Sequence, residues 1–242
     1  MAKTAAILII GNEILSGKIR DENSPYLAEE LRALGVDLRL IEVIPDEVGL
    51  IASRVAECSK NFDLVFTSGG VGPTHDDVTM QGVAQGLGIK TVRNEKMASL
   101  LEDVCSISEG EAVKRMSALP EGAELIADGD LRFPLVRADN VYIFPGVPEF
   151  LKSKFEAVKE RFRGQAFALK RVYVDQEEFC IAHIIDRVAV EFKEVMIGSY
   201  PKLNEPDHKV VITLENTDTE RLEEAVRKLI SELPADSVVR TE

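Results

Sequence analysis

The chain has 242 residues, 45% hydrophobic and 29% charged, with a net charge of −13. This suits a globular protein with room for two domains. It disfavours general duplex binding, where Lys and Arg must neutralise phosphate, and no stretch approaches the ~18 uninterrupted apolar residues of a membrane span. The opening MAKTAAILIIGNEIL passes from a short apolar run into polar residues without a small-residue cleavage pattern. It predicts a buried first strand rather than a leader. Cys58, Cys105 and Cys180 are widely spaced with no CxxC pair, which predicts partly buried, reduced thiols in a cytoplasmic protein. Of His75, His183 and His208, only His75 falls within a candidate site, and it is expected to face solvent.

In chain order, TAAILIIG predicts a strand buried on both faces, because its apolar residues are continuous. A helix is predicted from Ser24 as N-cap, with Pro25 at the first helical position and Gly35 just past the end. Leu27, Leu31 and Leu34 form its inward stripe. VDLRLIEVI predicts the second strand, followed by a helix from about Glu47 to Lys60 carrying Leu50, Ile51 and Val55 inward. FDLVFTS predicts the third strand, with a helix from about Thr79 to Gly88. Three successive β-α units imply a parallel sheet with helices on both faces.

Residues 94–118 are expected to be helical, with Ser108 and Glu111 spaced as a capping box. PLVRADNVYIF predicts a hairpin turning at Asp139 and Asn140, followed by PGVPEF and a helix to about Phe162. The grammar then changes. Residues 167–174 predict a strand and 176–190 a helix with Ile181, Ile184, Ile185 and Val188 inward. Two strands (EVMIGSYP and HKVVITLEN), a helix (TERLEEAVRKLISEL) and a last strand (SVVRT) complete a β-α-β-β-α-β split βαβ unit. The expected fold class is α/β: a parallel-sheet α/β/α domain over 1–163, then a small α+β domain over 167–242.

Ligands of open parallel sheets bind beyond the carboxyl ends of the strands. The first strand delivers Gly11, Asn12 and Glu13 to that edge, the second Pro45, Asp46 and Glu47, the third TSGGVGPTHDD, and a later one PGVPE with Gly146 and Pro148. Gly69, Gly70 and Gly72 let the backbone approach a ligand and aim N–H groups at phosphate oxygens. Thr67, Ser68 and Thr74 beside Pro73 add hydroxyls, and the helix starting near Thr79 points its positive end there. Asp76 and Asp77 would repel bare phosphate, which argues for a cation between carboxylate and ligand, held as Mg²⁺ commonly is. Asp46 and Glu13 could complete the acidic cluster. Duller roles remain open: a helix cap for Asp46 and for one of Asp76 and Asp77, turns or caps for Asn12 and Asn23, and packing for Tyr26 and Phe150.

GNEILSGKIRDENSPYLAEELRALG, TSGGVGPTHDDVT and FPGVPEF together resemble the molybdopterin-binding domain of the competence/damage-inducible protein A (CinA) family. MogA-like molybdenum cofactor enzymes and the N-terminal part of eukaryotic FAD synthases share that fold. Residues 167–242 resemble the KH-like domain of CinA proteins. A further deamidase domain has no room in 242 residues, so deamidase activity is not expected. The resemblance implies that Gly69, Gly70 and Gly72 form the pterin- and phosphate-binding loop and that Asp77 takes the place of the aspartate needed for adenylyl transfer. It matches Asp46 to the first acidic residue of a Pro-Asp-Asp motif, and Gly146 and Pro148 to a Pro-Gly-x-Pro loop. PTHDD departs from MogA-like proteins, which carry a basic residue before the aspartate; this site is more acidic.

The resemblance to the CinA group, together with the acidic site, implies a metal-dependent nucleotide pyrophosphatase acting on ADP-ribose or a related dinucleotide. Asp77 and Asp46 are its expected catalytic residues, and Asp76 with Asp77 its ligands for Mg²⁺, Mn²⁺ or Co²⁺. The rivals are a protein that binds molybdopterin or a nucleotide without altering it, and an adenylyltransferase of cofactor synthesis. A homodimer or other homo-oligomer is expected, with a structural or dimerising role for the C-terminal domain. Neither a nucleic acid nor a membrane is an expected partner.

Overall fold

The computed structural model describes residues 2–105, 110–127, 131–203 and 205–242, with the side chains of 104 and 105 excluded. The chain divides into two compact units, one up to Gly164 and one from Gln165 on.

In the first unit, β1 (Thr4–Ile10) leads through a single helical turn, α1 (Asn12–Leu15), to α2 (Asn23–Ala33). Next come β2 (Asp37–Ile44), α3 (Val48–Asn61), β3 (Leu64–Ser68) and α4 (Thr79–Gly86). β4 (Thr91–Arg93), α5 (Glu95–Cys105), α6 (Glu111–Ser117), β5 (Ala118–Pro120) and β6 (Glu124–Ile126) follow. The unit closes with β7 (Leu135–Ala138), β8 (Val141–Phe144) and α7 (Pro148–Val158).

Six strands form one sheet in the order β2-β1-β3-β8-β7-β6. β2, β1, β3 and β8 run parallel, whereas β7 and β6 are antiparallel additions. β1 and β3 are buried on both faces, as their unbroken apolar runs require. Alternate residues of β1 enter two different cores. Ala6, Leu8 and Ile10 pack with Ile51, Val55 and Val83 of α3 and α4; Ala5, Ile7 and Ile9 pack with Leu27 and Leu31 of α2. Each such fully buried leucine stabilises the fold by roughly 1.5–3 kcal/mol. Phe66, Phe144, Phe155 and Phe162 add an aromatic cluster with centroids 5.0–6.4 Å apart. The β7–β8 hairpin turns at Asp139, which adopts φ 52°.

Several local expectations need correcting. Ser24 is not the N-cap of α2: the helix begins at Asn23, and Asp21 accepts the N–H groups of Asn23 (2.9 Å) and Ser24 (3.1 Å). Leu50 is exposed, and α3 instead buries Ala52 and Cys58 beside Ile51 and Val55. Phe150 is 62% exposed rather than packed, and Cys180 is exposed rather than partly buried. The expected capping box depends on Ser108, which lies outside the described residues, as does the side chain of Cys105.

In the second unit, β9 (Ala168–Val174), α8 (Glu178–Glu191), β10 (Met196–Pro201), β11 (Val210–Asn216), α9 (Thr219–Glu232) and β12 (Val238–Thr241) realise the split βαβ pattern. The antiparallel sheet runs β10-β11-β9-β12. Ile181, Ile184, Val188, Leu222 and Leu229 fill a core against Val172, Val174, Ile212 and Leu214. Asp218 caps α9, accepting from the N–H groups of Glu220 (3.0 Å) and Arg221 (3.1 Å).

Candidate functional site

The parallel strands β1, β2, β3 and β8 all end at one edge, and their following loops meet there. Gly69 extends β3 and donates its N–H to Phe144 O of β8 (3.2 Å). Its φ of 107° belongs to glycine alone, since a Cβ there would lie 2.0 Å from Ile10 O of β1. A Cβ on Gly146 would lie 3.3 Å from Gly69 Cα, so the β3 and β8 loops are in contact. Gly70, at φ 62°, would place a Cβ 2.4 Å from Thr79 Oγ1 and 3.4 Å from an Asp46 carboxylate oxygen. Gly11 donates to Ile44 O (3.1 Å), and the N–H of Asn12 donates to Asp46 (2.8 Å), which joins the β1 and β2 loops. Glu13 folds back, with a carboxylate oxygen 2.5 Å from where a Gly11 Cβ would sit. Residues 11–13, 46, 69–70, 79 and 146 therefore share one crevice.

The hydroxyls of Thr67, Ser68 and Thr79 are turned inward, whereas Thr74 stays exposed. Thr67 is fully buried, and its Oγ1 has no partner among the described residues. Ser68 donates to Pro145 O (3.2 Å), and Thr79 is buried with its hydroxyl on Gly69 O (2.8 Å). Thr79 also donates its N–H to Gly70 O (3.0 Å), so it braces the glycine turn from below. Thr74 directs both its N–H (2.8 Å) and its hydroxyl (2.5 Å) at Asp77 Oδ2. Asp77 is thereby held under Gly72, while Arg115 of α6 anchors the exposed loop through Pro73 O (3.2 Å). Pro148 opens α7.

None of Asp46, Asp76 and Asp77 caps a helix. Glu47 rather than Asp46 is the N-cap of α3, Val78 that of α4, and neither helix has a side-chain cap. Burial pushes the Asp46 carboxyl above the usual range, and Glu13, Asp76 and Asp77 raise it further, partly offset by the Asn12 N–H. Loss of solvent around the carboxylate is the main cause, and the concentration of like charge adds to it. Asp76, exposed, is held lower by hydrogen bonding within its loop, the Thr74 side chain first and its own backbone second. No three of Glu13, Asp46, Asp76 and Asp77 come within metal-ligand spacing of one another; among the described residues only Glu205, Asp207 and His208 do. The crevice suits an ion held by one or two carboxylates together with ligand oxygens, not a closed protein cage.

Sequence reasoning missed the role of Asn23. Its amide donates to Ser68 Oγ (3.0 Å) and Gly146 O (2.7 Å), clamping the β3 and β8 loops to the start of α2. Its Oδ1 is buried without a partner among the described residues. An asparagine two residues after Asp21 at a helix start reads locally as a cap, and nothing local points across the sheet.

Residues 6–164 match the family described as "Probable molybdopterin binding domain", and residues 166–242 match "FAD synthase, middle domain". A "CinA-like protein" of Fervidobacterium nodosum is 36% identical over 66% of this chain and 41% of its own. The crystal structure of the protein CinA from Thermoplasma acidophilum superposes with a TM-score of 0.61 at 26% identity, covering 67% of this chain and 100% of that one. The chain belongs to the family described as "Probable molybdopterin binding domain". This family's molybdopterin-binding-domain fold accounts for the mixed sheet and the crevice at its edge. A "Probable FAD synthase" of Caenorhabditis elegans is 35% identical over 98% of this chain and 51% of its own length. The chain spans about half the length of such curated relatives.

Proposed function

We propose that the chain is a metal-dependent nucleotide pyrophosphatase that hydrolyses ADP-ribose or a related dinucleotide such as FAD. The observation that carries this reading is the meeting of Gly69 and Gly70 with Asp46 in one crevice, with Asp77 held against Gly72 of the same turn and close enough to raise the Asp46 carboxyl. Backbone N–H groups of that turn suit a diphosphate, and the adjoining carboxylates suit its counter-cation. Asp77, with Oδ1 left outside its Thr74 contacts, and the exposed Asp76 would hold the ion. A bound Mg²⁺, Mn²⁺ or Co²⁺ neutralises charge developing on phosphate and makes water a better nucleophile.

Asp46, held by the Asn12 N–H and raised by its acidic neighbours, suits orienting that water and taking its proton. Water adds to one phosphorus, the bridging P–O bond breaks, and the second phosphate leaves with the bridging oxygen. Two monophosphate products result. The test is incubation of purified protein with ADP-ribose and with FAD in the presence of each ion. Turnover that needs the ion and is lost in Asp77→Asn is expected; no turnover with any ion ends the proposal.

The description of the matched family favours a second reading, in which the crevice binds molybdopterin without altering it. Calorimetry separates the two: tight pterin binding without metal-dependent hydrolysis selects the binding protein. Assembly into a homodimer or larger homo-oligomer is part of the proposal, and sedimentation that stays monomeric at every concentration would remove it.

A further inference from the structure

The second unit carries a polar hollow that the pyrophosphatase reading does not use. α8 and α9 cover one face of its sheet, and the opposite face bears a hollow of about 390 Å³. Strand register places Tyr200, Val211, Tyr173 and Arg240 in one row across all four strands, with Gly198, Thr213 and Arg171 in the next. A Cβ on Gly198 would lie 2.9 Å from Tyr200 Cε2. The glycine therefore lets the Tyr200 ring lie down over the sheet, where it stays 52% exposed. The Arg240 guanidinium sits 3.7 Å from the centre of the Tyr173 ring, and the buried His208 meets that ring edge-on at 5.0 Å. Asp207 binds both His208 Nδ1 (2.7 Å) and Arg240 Nη1 (2.7 Å), and Arg240 Nε also donates to Glu242 (3.3 Å), so Arg240 is already paired. Arg171, Lys202 and the exposed Glu205 also line the hollow; neither cation forms a salt bridge among the described residues, although Arg171 lies near enough to Glu242 to lower its carboxyl.

A chain of net charge −13 thus presents two cations outside any salt bridge among the described residues, beside an exposed aromatic ring and with Glu205 in the same lining. The complement is an anion bearing a flat apolar ring. We propose that this sheet face binds a nucleoside phosphate, its base laid on Tyr200 and its phosphate held by Arg171 and Lys202. Stacking on tyrosine tolerates any base, and guanidinium and ammonium donors suit phosphate. The volume falls within the ~300–1,000 Å³ range of small-molecule sites. The acidic chain lacks the extended basic track that a polynucleotide needs. This site is independent of the crevice in the first unit and does not rest on its activity.

The four tyrosines provide the test. The full chain labelled with 3-fluorotyrosine is titrated with AMP and followed by ¹⁹F NMR, the Tyr173 and Tyr200 signals being assigned from Tyr173→Phe and Tyr200→Phe. Saturable shifts of both signals are expected. The double variant Arg171→Ala/Lys202→Ala should weaken them by about tenfold or more, as charge-assisted contacts are lost, while metal-dependent hydrolysis stays unchanged. The proposal is overturned if AMP leaves both signals unmoved at millimolar concentration. It is equally overturned if inorganic phosphate alone shifts them as far, if oligouridylate saturates them well before AMP, or if protein concentration alone moves them. The first pair of outcomes leaves no nucleotide site; the others select single-stranded nucleic acid or a second copy of the chain as the occupant.

Discussion

Asp46 decides the charge balance of the crevice. Its carboxyl is raised by burial and by three acidic neighbours, so the folded protein binds that proton more tightly than the unfolded chain does. The linkage then has a definite sign. Stability from this group is fully present below the unfolded carboxylate pKa and is lost as pH rises through the folded value. Asp46→Asn keeps an oxygen for the Asn12 N–H and removes the charge. In metal-free protein it should raise Tm at pH 7, with the advantage shrinking to nothing as pH falls below the carboxylate range. Thermal melts across pH with a chelator present check this; a lower Tm at pH 7 refutes it. Saturating Mn²⁺ should stabilise the native protein more than Asp46→Asn. Asp77→Asn is expected to lower kcat by about a hundredfold, the scale of losing one electrostatic stabiliser. Gly70→Ala forces a Cβ to within 2.4 Å of Thr79 Oγ1 at φ 62°, so it should lose both stability and ligand binding.

At the scale of elements, the glycine turn is only as well placed as α4, which carries Thr79. That helix packs closely on α3 through Gly82 and Gly86. A Cβ on Gly86 would stand 2.5 Å from the backbone oxygen of Ala52, an atom that cannot rotate away. Gly86→Ala should therefore separate the helices and cost about 1–3 kcal/mol, as overpacking typically does. Urea denaturation measures the loss, and hydrolysis should fall with it because Thr79 moves. Truncating Phe66 to alanine in the aromatic cluster should cost more, about 3–5 kcal/mol. The elements legible in the sequence share one property, a periodic or continuous apolar signal: β1, β3, α2 and both helices of the second unit. The missed strands β4, β5 and β6 are three residues long, and β4 is exposed throughout. TVR, ALP and ELI are too short to show a period. Their pairing is set by neighbouring segments rather than by their own composition.

At the scale of the whole molecule, the apolar residues gather into separate cores, two flanking the sheet of the first unit and one in the second. A fragment ending at Gly164 keeps every loop of the crevice and both of its cores. It should unfold cooperatively in urea, followed by circular dichroism, and retain the metal dependence of the full chain. Non-cooperative melting would show that the second unit is needed for the fold of the first.

The strand-to-loop order, the glycine turn and the adjacent aspartates were readable from the chain alone, because each depends on neighbours in sequence. Composition and periodicity sufficed for them. Which way the hydroxyls of Thr67, Ser68 and Thr79 point was not readable, nor was the clamp Asn23 makes on Ser68 and Gly146. Nor was the row that aligns Tyr200 with Tyr173 and Arg240. These depend on segments tens of residues apart coming together, and only strand register and helix packing settle which polar atoms find partners across that distance.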